Sequence, residues 1–334
     1  MRNRYTYLIL ILLPFYTIMG AKAQDFHLSQ YDASGQFLNP ALTGMYMGDD
    51  VDYSANLHHR TQWRSLGLAP FNTYMLGGDF VYDDRWGFGG YIVNNTAGLN
   101  NYRSLNFMLS AAYQITDDET NTHILTTGVQ MGLLNKSFNM NDMIFDRQYD
   151  SSTGMGNSSL ASGENFQNEN LYRFDANIGV FYKYQDDENM AHPFLGVSVF
   201  HLTMPDESFT SEKERLPMRW VVHSGVDLNI NDQLTVTPMV LYMNQANAWE
   251  FNLGAMAWYN IDDTKYDVML GTFYRFGDAA IIQAGFRQDE RVTLRLSYDM
   301  NTSMLNTFTR GRGGFEIGLI YRGKKGYNPI PRFN

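Results

Sequence analysis

From Tyr172 to Tyr184 apolar and polar positions alternate strictly. Tyr172, Phe174, Ala176, Ile178, Val180, Tyr182 and Tyr184 form one set; Arg173, Asp175, Asn177, Gly179, Phe181 and Lys183 form the other. A period of two puts successive side chains on opposite faces of a strand, whereas a helix would spread both sets around its circumference. The same alternation sets Leu105, Phe107, Leu109, Ala111 and Tyr113 against Ser104, Asn106, Met108, Ser110 and Ala112. It sets Val268, Leu270, Thr272, Tyr274 and Phe276 against Asp267, Met269, Gly271 and Arg275. Followed along the chain, it predicts fourteen strands, near 51–62, 71–82, 86–97, 102–115, 122–136, 172–185, 192–202, 219–230, 233–243, 248–260, 265–276, 279–287, 291–300 and 314–322. They are long beside the five or six residues usual in soluble sheets.

The connections sort by length. With the first strand running upward, the lower connections are short: 83–85, 116–121, 186–191, 231–232, 261–264 and 288–290. The long ones, 137–171, 203–218 and 301–313, all fall on the upper side. An outer-membrane barrel inserted from the periplasm has short turns below and longer loops above, and an even strand number that brings both ends to one side. The predicted fold is therefore all-β: a closed antiparallel transmembrane barrel of about fourteen strands spanning 51–322. Trp86, Tyr102, Tyr113, Tyr172, Tyr184, Trp220, Trp249, Tyr259 and Tyr298 lie toward strand ends, where amphipathic rings suit the headgroup level. On this reading the Tyr/Phe/Ile/Val face of 172–184 meets lipid. Since Arg or Lys near the midplane costs about 2–4 kcal/mol, charges are kept to the lumen.

Composition narrows the class. Arg2 and Arg4 precede an apolar run from Leu8 to Met19, and Ala21-Lys22-Ala23 suits a signal peptidase, so 1–23 read as a cleaved secretory signal peptide. The run is too short to span a bilayer. Without cysteine there is no lipoprotein, disulfide or thiolate metal site. A net charge of −10 with no Lys/Arg cluster argues against nucleic acid. Residues 24–50 lack the alternation and read as an irregular periplasmic lead, and 323–334 as a periplasmic tail.

No nucleophile-elbow, zincin, phosphate-loop or dinucleotide pattern appears, so the chain carries no expected catalytic, cofactor or metal residue. His201 and His223 are the histidines a wall-bound lipid hydrolase would have to use, yet no spacing singles them out. The residues expected to line the lumen are Arg173, Asp175, Lys183, Asp227, Glu250, Asp267, Arg275, Arg287, Arg295, Asp299 and Glu316. Their mixed signs suit either a solute path or ion pairs that stiffen the barrel.

Several stretches resemble the PorP/SprF-type membrane proteins of the Bacteroidetes type IX secretion system. Ser29-Gln30-Tyr31 followed by Asn39, Pro40 and Gly44 resembles the family's mature N-terminus. Gly196, Ser198 and His201 with Pro205 resemble a central strand and its exit, and Tyr298-Asp299 with Phe315-Glu316-Ile317 resembles the last two strands. The chain departs from the family at Gly314 and Phe315 and in its tail, Ile330-Pro331-Arg332-Phe333. The resemblance implies an outer-membrane accessory of type IX export without catalysis. Its implied partners are secretion components and a surface protein with a C-terminal secretion domain, often an adhesin linked to gliding. A transporter of hydrophobic or small solutes is the rival reading.

Overall fold

In the computed structural model, residues 25–45, 51–64, 70–82, 85–98, 102–116, 122–139, 144–157, 159–163, 166, 169–186, 188–211, 213–261 and 264–324 are described. The alternating segments form strands β1 (Val51–Gln62), β2 (Phe71–Tyr82), β3 (Trp86–Ala97), β4 (Tyr102–Gln114), β5 (His123–Ser137), β6 (Asn170–Tyr184) and β7 (Ala191–Phe200). They continue as β8 (Arg219–Asn231), β9 (Leu234–Gln245), β10 (Ala248–Asn260), β11 (Tyr266–Arg275), β12 (Ala279–Gln288), β13 (Val292–Asn301) and β14 (Arg312–Lys324). Each pairs antiparallel with its neighbours in sequence, and β1 closes on β14, from Val51 opposite Lys324 to Gln62 opposite Gly314. Closure leaves no free edge, as a strand structure in hydrocarbon requires.

The pleat sorts the side chains as the alternation predicts. On β6, Tyr172, Phe174, Ile178 and Val180 are exposed outward while Asp175, Asn177 and Phe181 are buried inward. On β11 the outward Val268, Leu270 and Tyr274 are exposed, and Asp267, Met269, Phe273 and Arg275 are buried. The long connections, 138–169, 201–218 and 302–311, lie at one mouth, together with short turns such as 246–247 and 276–278, and every connection at the other mouth is short. Phe138 packs on Phe166 and Phe209, with ring centroids 5.2 and 4.6 Å apart, and Lys136 pairs with Glu207. The first two long loops are thus joined.

The lumen is occupied by residues 25–45, which were expected to lie outside the barrel as a periplasmic lead. Three short turns, Tyr31–Ala33, Gly35–Leu38 and Pro40–Leu42, fold this lead back and forth across the interior. Its Tyr31, Leu38, Ala41 and Leu42 join inward Phe181, Val221, Met239, Leu241, Met269 and Ile281 in one apolar core. Inward apolar residues on a barrel wall need a partner inside, and the lead supplies it. Residues 1–23, read as a signal peptide, and 325–334 of the tail fall outside the described residues.

Candidate functional site: the lead and the lumen wall

The lead runs from one mouth of the barrel to the other. Asp25 lies at the long-loop mouth, where its N–H donates to Gln245 Oε1 at 2.9 Å, and Gln245 ends β9. Gly44 lies at the short-turn mouth, where its N–H donates to Asp79 Oδ2 at 2.9 Å. A side chain at Gly44 would meet the Cα of Gly87 at 2.8 Å, and its φ of +64° lies in the left-handed region that favours glycine.

At the long-loop end, His201 Nε2 bonds Asp25 Oδ2 at 2.6 Å and its Nδ1 bonds Asp175 Oδ2 at 2.7 Å. Arg219 Nη1 stands 3.3 Å from the same Asp25 oxygen. A ring between two carboxylates must donate from both nitrogens and so carries a charge. Burial opposes that charge, but the Asp25 carboxylate and the two hydrogen bonds outweigh it, so the pKa of His201 rises to about 9. Burial likewise opposes ionisation of Asp25, and His201 and Arg219 override it, holding the carboxyl well below its usual range. The backbone of His201 is left-handed, with φ +60°, a strained geometry that aims the ring at this pair of acids.

Midway, Ser29 sits in a neutral cluster of buried charges. Its Oγ donates to both oxygens of Asp299 at 2.8 Å, and its N–H donates to Glu316 Oε2 at 2.7 Å. Arg60 bonds Asp299 at 2.8 Å and Glu316 at 3.3 Å, and Arg275 bonds Asp299 at 2.6 Å. Two guanidinium groups thus face two carboxylates, with the lead's hydroxyl and amide filling the remaining acceptor positions.

Below this, the Asn39-Pro40 turn is keyed to the wall. Asn39 Oδ1 accepts from Ala41 N at 2.9 Å, capping its own turn, while Nδ2 donates to Val180 O at 3.0 Å and to His223 Nε2 at 3.3 Å. Gly179 and Gly128 leave the recess it needs: a Cβ on Gly179 would overlap Asn39 Oδ1, and one on Gly128 would overlap the Pro40 carbonyl. Gly196 does the same for the ring of His223, and Ser198 Oγ donates to Leu38 O at 2.9 Å.

The inward charges expected from the sequence have partners. Lys183 pairs with Asp227 at 3.0 Å, Arg287 with Asp267 at 2.7 Å, Glu250 with His27 of the lead at 3.1 Å and Arg295 with Asp32 of the lead at 2.6 Å. Arg173 bonds the carbonyl of Asp206 in the second long loop. Pro205 lies in that loop, its carbonyl accepting from Leu216 N at 2.9 Å, and Tyr298 points outward. His201 and His223 sit in the lumen rather than at a lipid boundary. The sequence reading missed Arg60, Asp25, His27, Asp32 and Arg219. For Arg60 a signal existed, since Asn56, His58 and Arg60 share the inward face of β1.

Ser29, Asn39, Gly196, His201, Asp299 and Glu316, separated by as many as 287 residues, all meet where the lead touches the wall. The fold is similar to that of the Ralstonia pickettii toluene transporter TbuX, at 12% identity over 86% of this chain and 92% of that one, with a TM-score of 0.52. It is similar also to the CymD monoaromatic hydrocarbon channel, at 13% identity over 88% and 93%, with a TM-score of 0.52. At these identities the likeness shows an outer-membrane barrel fold alone. No curated protein matches the chain. The family model described as type IX secretion system membrane protein PorP/SprF matches residues 20–321, which takes in the lead and almost the whole barrel, and the chain belongs to that family.

Proposed function

We propose that this outer-membrane barrel is a non-catalytic accessory of type IX secretion that docks a partner surface protein at its long-loop mouth. The observation that carries the reading is the apolar dressing of those loops. Ile144, Tyr149, Met155 and Leu160 in the first long loop are 59, 57, 71 and 45% exposed, and Met304 and Phe308 in the third are 95 and 71% exposed. Large apolar groups gathered beyond the strands suit a protein interface, where aromatic residues and Met are enriched. The seated lead supports docking over passage, because it crosses the lumen from one mouth to the other and is bonded to the wall along its length. The partner is expected to be a secreted cargo, an adhesin linked to gliding being the kind the family implies, with export subunits at the other mouth.

Replacing 138–169 by a short turn tests this. The barrel should stay in the outer membrane while the surface partner no longer co-purifies with it; unchanged recovery of that partner would overturn the reading. Passage of a hydrophobic or small solute is the rival, prompted by the fold's likeness to the toluene transporter and the hydrocarbon channel. It predicts uptake into liposomes, which a docking barrel with a seated lead lacks.

A further inference from the structure

Beneath the lead, in the short-turn half of the lumen, lies a cavity of about 350 Å³ that the docking reading does not use. Its size falls in the small-molecule range of roughly 300–1,000 Å³. One flank is apolar and aromatic, formed by Phe181, Phe194, Met239, Met256 and Trp258. The opposite flank carries Ser54, Asn56 and Thr293, and the lead roofs both with Tyr31, Leu38 and Leu42.

The charged groups that line it are already engaged: besides the ion pairs that follow, Asp79 accepts from Gly44 N and from Ser54 Oγ. Arg295 is held by Asp32 through two bonds of 2.6 and 3.0 Å, Asp227 by Lys183 at 3.0 Å, and Arg287 by Asp267 at 2.7 Å. A charged guest would find no uncommitted counter-ion among these pairs. Neutral hydrogen-bonding capacity, by contrast, is left over. Asn39 Nδ2 can only donate, so His223 Nε2 accepts and the ring proton sits on Nδ1. That Nδ1–H belongs to a residue 3% exposed that lines the cavity, and the hydrogen bond this ring makes among the described residues is the one to Asn39 through Nε2. The Tyr31 hydroxyl and Asn56 Oδ1, on residues that line the same cavity, are also buried without a partner. Buried polar groups of this kind call for a hydrogen-bonding companion.

We propose that this cavity binds a small uncharged organic molecule with an aromatic or aliphatic body and a hydroxyl-type group. The body lies against Phe181, Phe194 and Trp258, and the polar group meets His223 Nδ1–H. With the lead above it, the guest enters and leaves by the short-turn mouth, so the site binds rather than conducts. Because the lead forms the roof, occupancy and seating of the lead favour each other reciprocally.

Trp258 is the tryptophan that lines the cavity, which gives a direct readout. In the full chain in nanodiscs, with Trp63→Phe, Trp86→Phe, Trp220→Phe and Trp249→Phe, 4-nitrobenzyl alcohol should quench Trp258 saturably. His223→Phe keeps the ring volume but removes the donor, and it should weaken binding about tenfold. Thr293→Phe fills the opposite flank and should abolish saturation. The charged analogues 4-nitrobenzoate and 4-nitrobenzylammonium should bind at least about tenfold more weakly, since each would lie uncompensated in the lumen. The proposal is overturned if quenching is absent or never saturates, if Thr293→Phe leaves it unchanged in a barrel with normal circular dichroism, or if a charged analogue binds as well as the alcohol.

Discussion

The keyed turn at Asn39-Pro40 makes a sharp prediction, because glycine on the wall is required there by space alone. A Cβ on Gly128 would run into the Pro40 carbonyl and come within 2.5 Å of Ala41 N, and one on Gly179 would overlap Asn39 Oδ1 with Pro40 Cδ at 3.0 Å. On the lead's side the obstructing atoms at Gly128 are backbone, so no rotamer change relieves the clash. At Gly179 the obstructing amide is fixed by its bonds to Ala41 N, Val180 O and His223. Overpacking of a closed core costs about 1–3 kcal/mol, which converts to roughly 5–150-fold more chain with the lead unseated. Ser34 supplies the probe site, being 1% exposed with an Oγ that makes no hydrogen bond, in a chain free of cysteine. The thiol of a Ser34→Cys variant should react slowly with a maleimide in the otherwise native protein, and faster by that factor when Gly128→Ala or Gly179→Ala is added. Gly271→Ala is the control, since a Cβ there meets nothing nearer than 3.3 Å. Equal labelling rates in all four backgrounds, with the barrel intact, would refute the claim that this turn holds the lead in place.

The His201 latch has a pH signature: its raised pKa contributes stability that is complete below the ordinary histidine value near 6.5 and lost as pH rises through about 9. Asp25, depressed, contributes stability that is lost only in acid below the usual carboxylate range, so thermal midpoints should fall between pH 6 and pH 10 by the equivalent of about 3 kcal/mol, and His201→Gln should flatten that fall. Asp299→Asn leaves Arg60 with Glu316 and Arg275 with the part-exposed Asp278, and should cost about 3–5 kcal/mol in urea titration, whereas a loss under 1 kcal/mol would show that the cluster is not the lead's main ionic anchor. Leu270→Arg, at an outward position 70% exposed, should destabilise the barrel in lipid by about 2–4 kcal/mol, and a neutral result would place β11 the other way round.

The strands were legible because alternation is a local property. Val268, Leu270, Thr272 and Tyr274 state their face whatever else the chain does, and the strands begin and end within two residues of where the alternation does. The lead was not legible for the opposite reason. Ser29, Gln30 and Asn39 look like turn and cap residues, and their partners, Asp299, Glu316 and His223, lie 184 to 287 residues away. Nothing within a window of the sequence says that Asp32 belongs to Arg295, or that His201 bridges Asp25 and Asp175. The inward Met108, Phe181 and Met269 did carry a hint: a lumen meant only for water has no use for them, and three large apolar residues facing inward ask for something apolar inside. That hint fixes the presence of a plug but not its source, because any lead, loop or partner segment of similar composition would satisfy it.

The pairing of the lumen charges bears on what the barrel does. A path for ions or polar solutes needs groups that can exchange protein partners for the passing solute at little cost. Here Arg295 bonds Asp32, Glu250 bonds His27, and Asp299, already held by Arg60 and Arg275 of the wall, accepts from Ser29; Asp32, His27 and Ser29 all belong to the lead. Opening the lumen would leave Arg295 without its carboxylate and strip a hydrogen-bond partner from Glu250 and from Asp299, and stranding even one buried charge costs several kcal/mol. The lead therefore leaves as a unit or not at all, and a trigger for its release must replace several of these contacts together. A single small solute arriving at the short-turn mouth reaches only the cavity below Tyr31 and Leu38, where it adds to the lead's contacts instead of competing with them. Displacement from that side would take a protein segment able to offer its own hydroxyls, amides and charges to Arg60, Arg275 and Arg295. For a barrel of a secretion family, this makes the seated state the resting one and leaves the apolar long loops as the surface free to bind while the lumen stays shut.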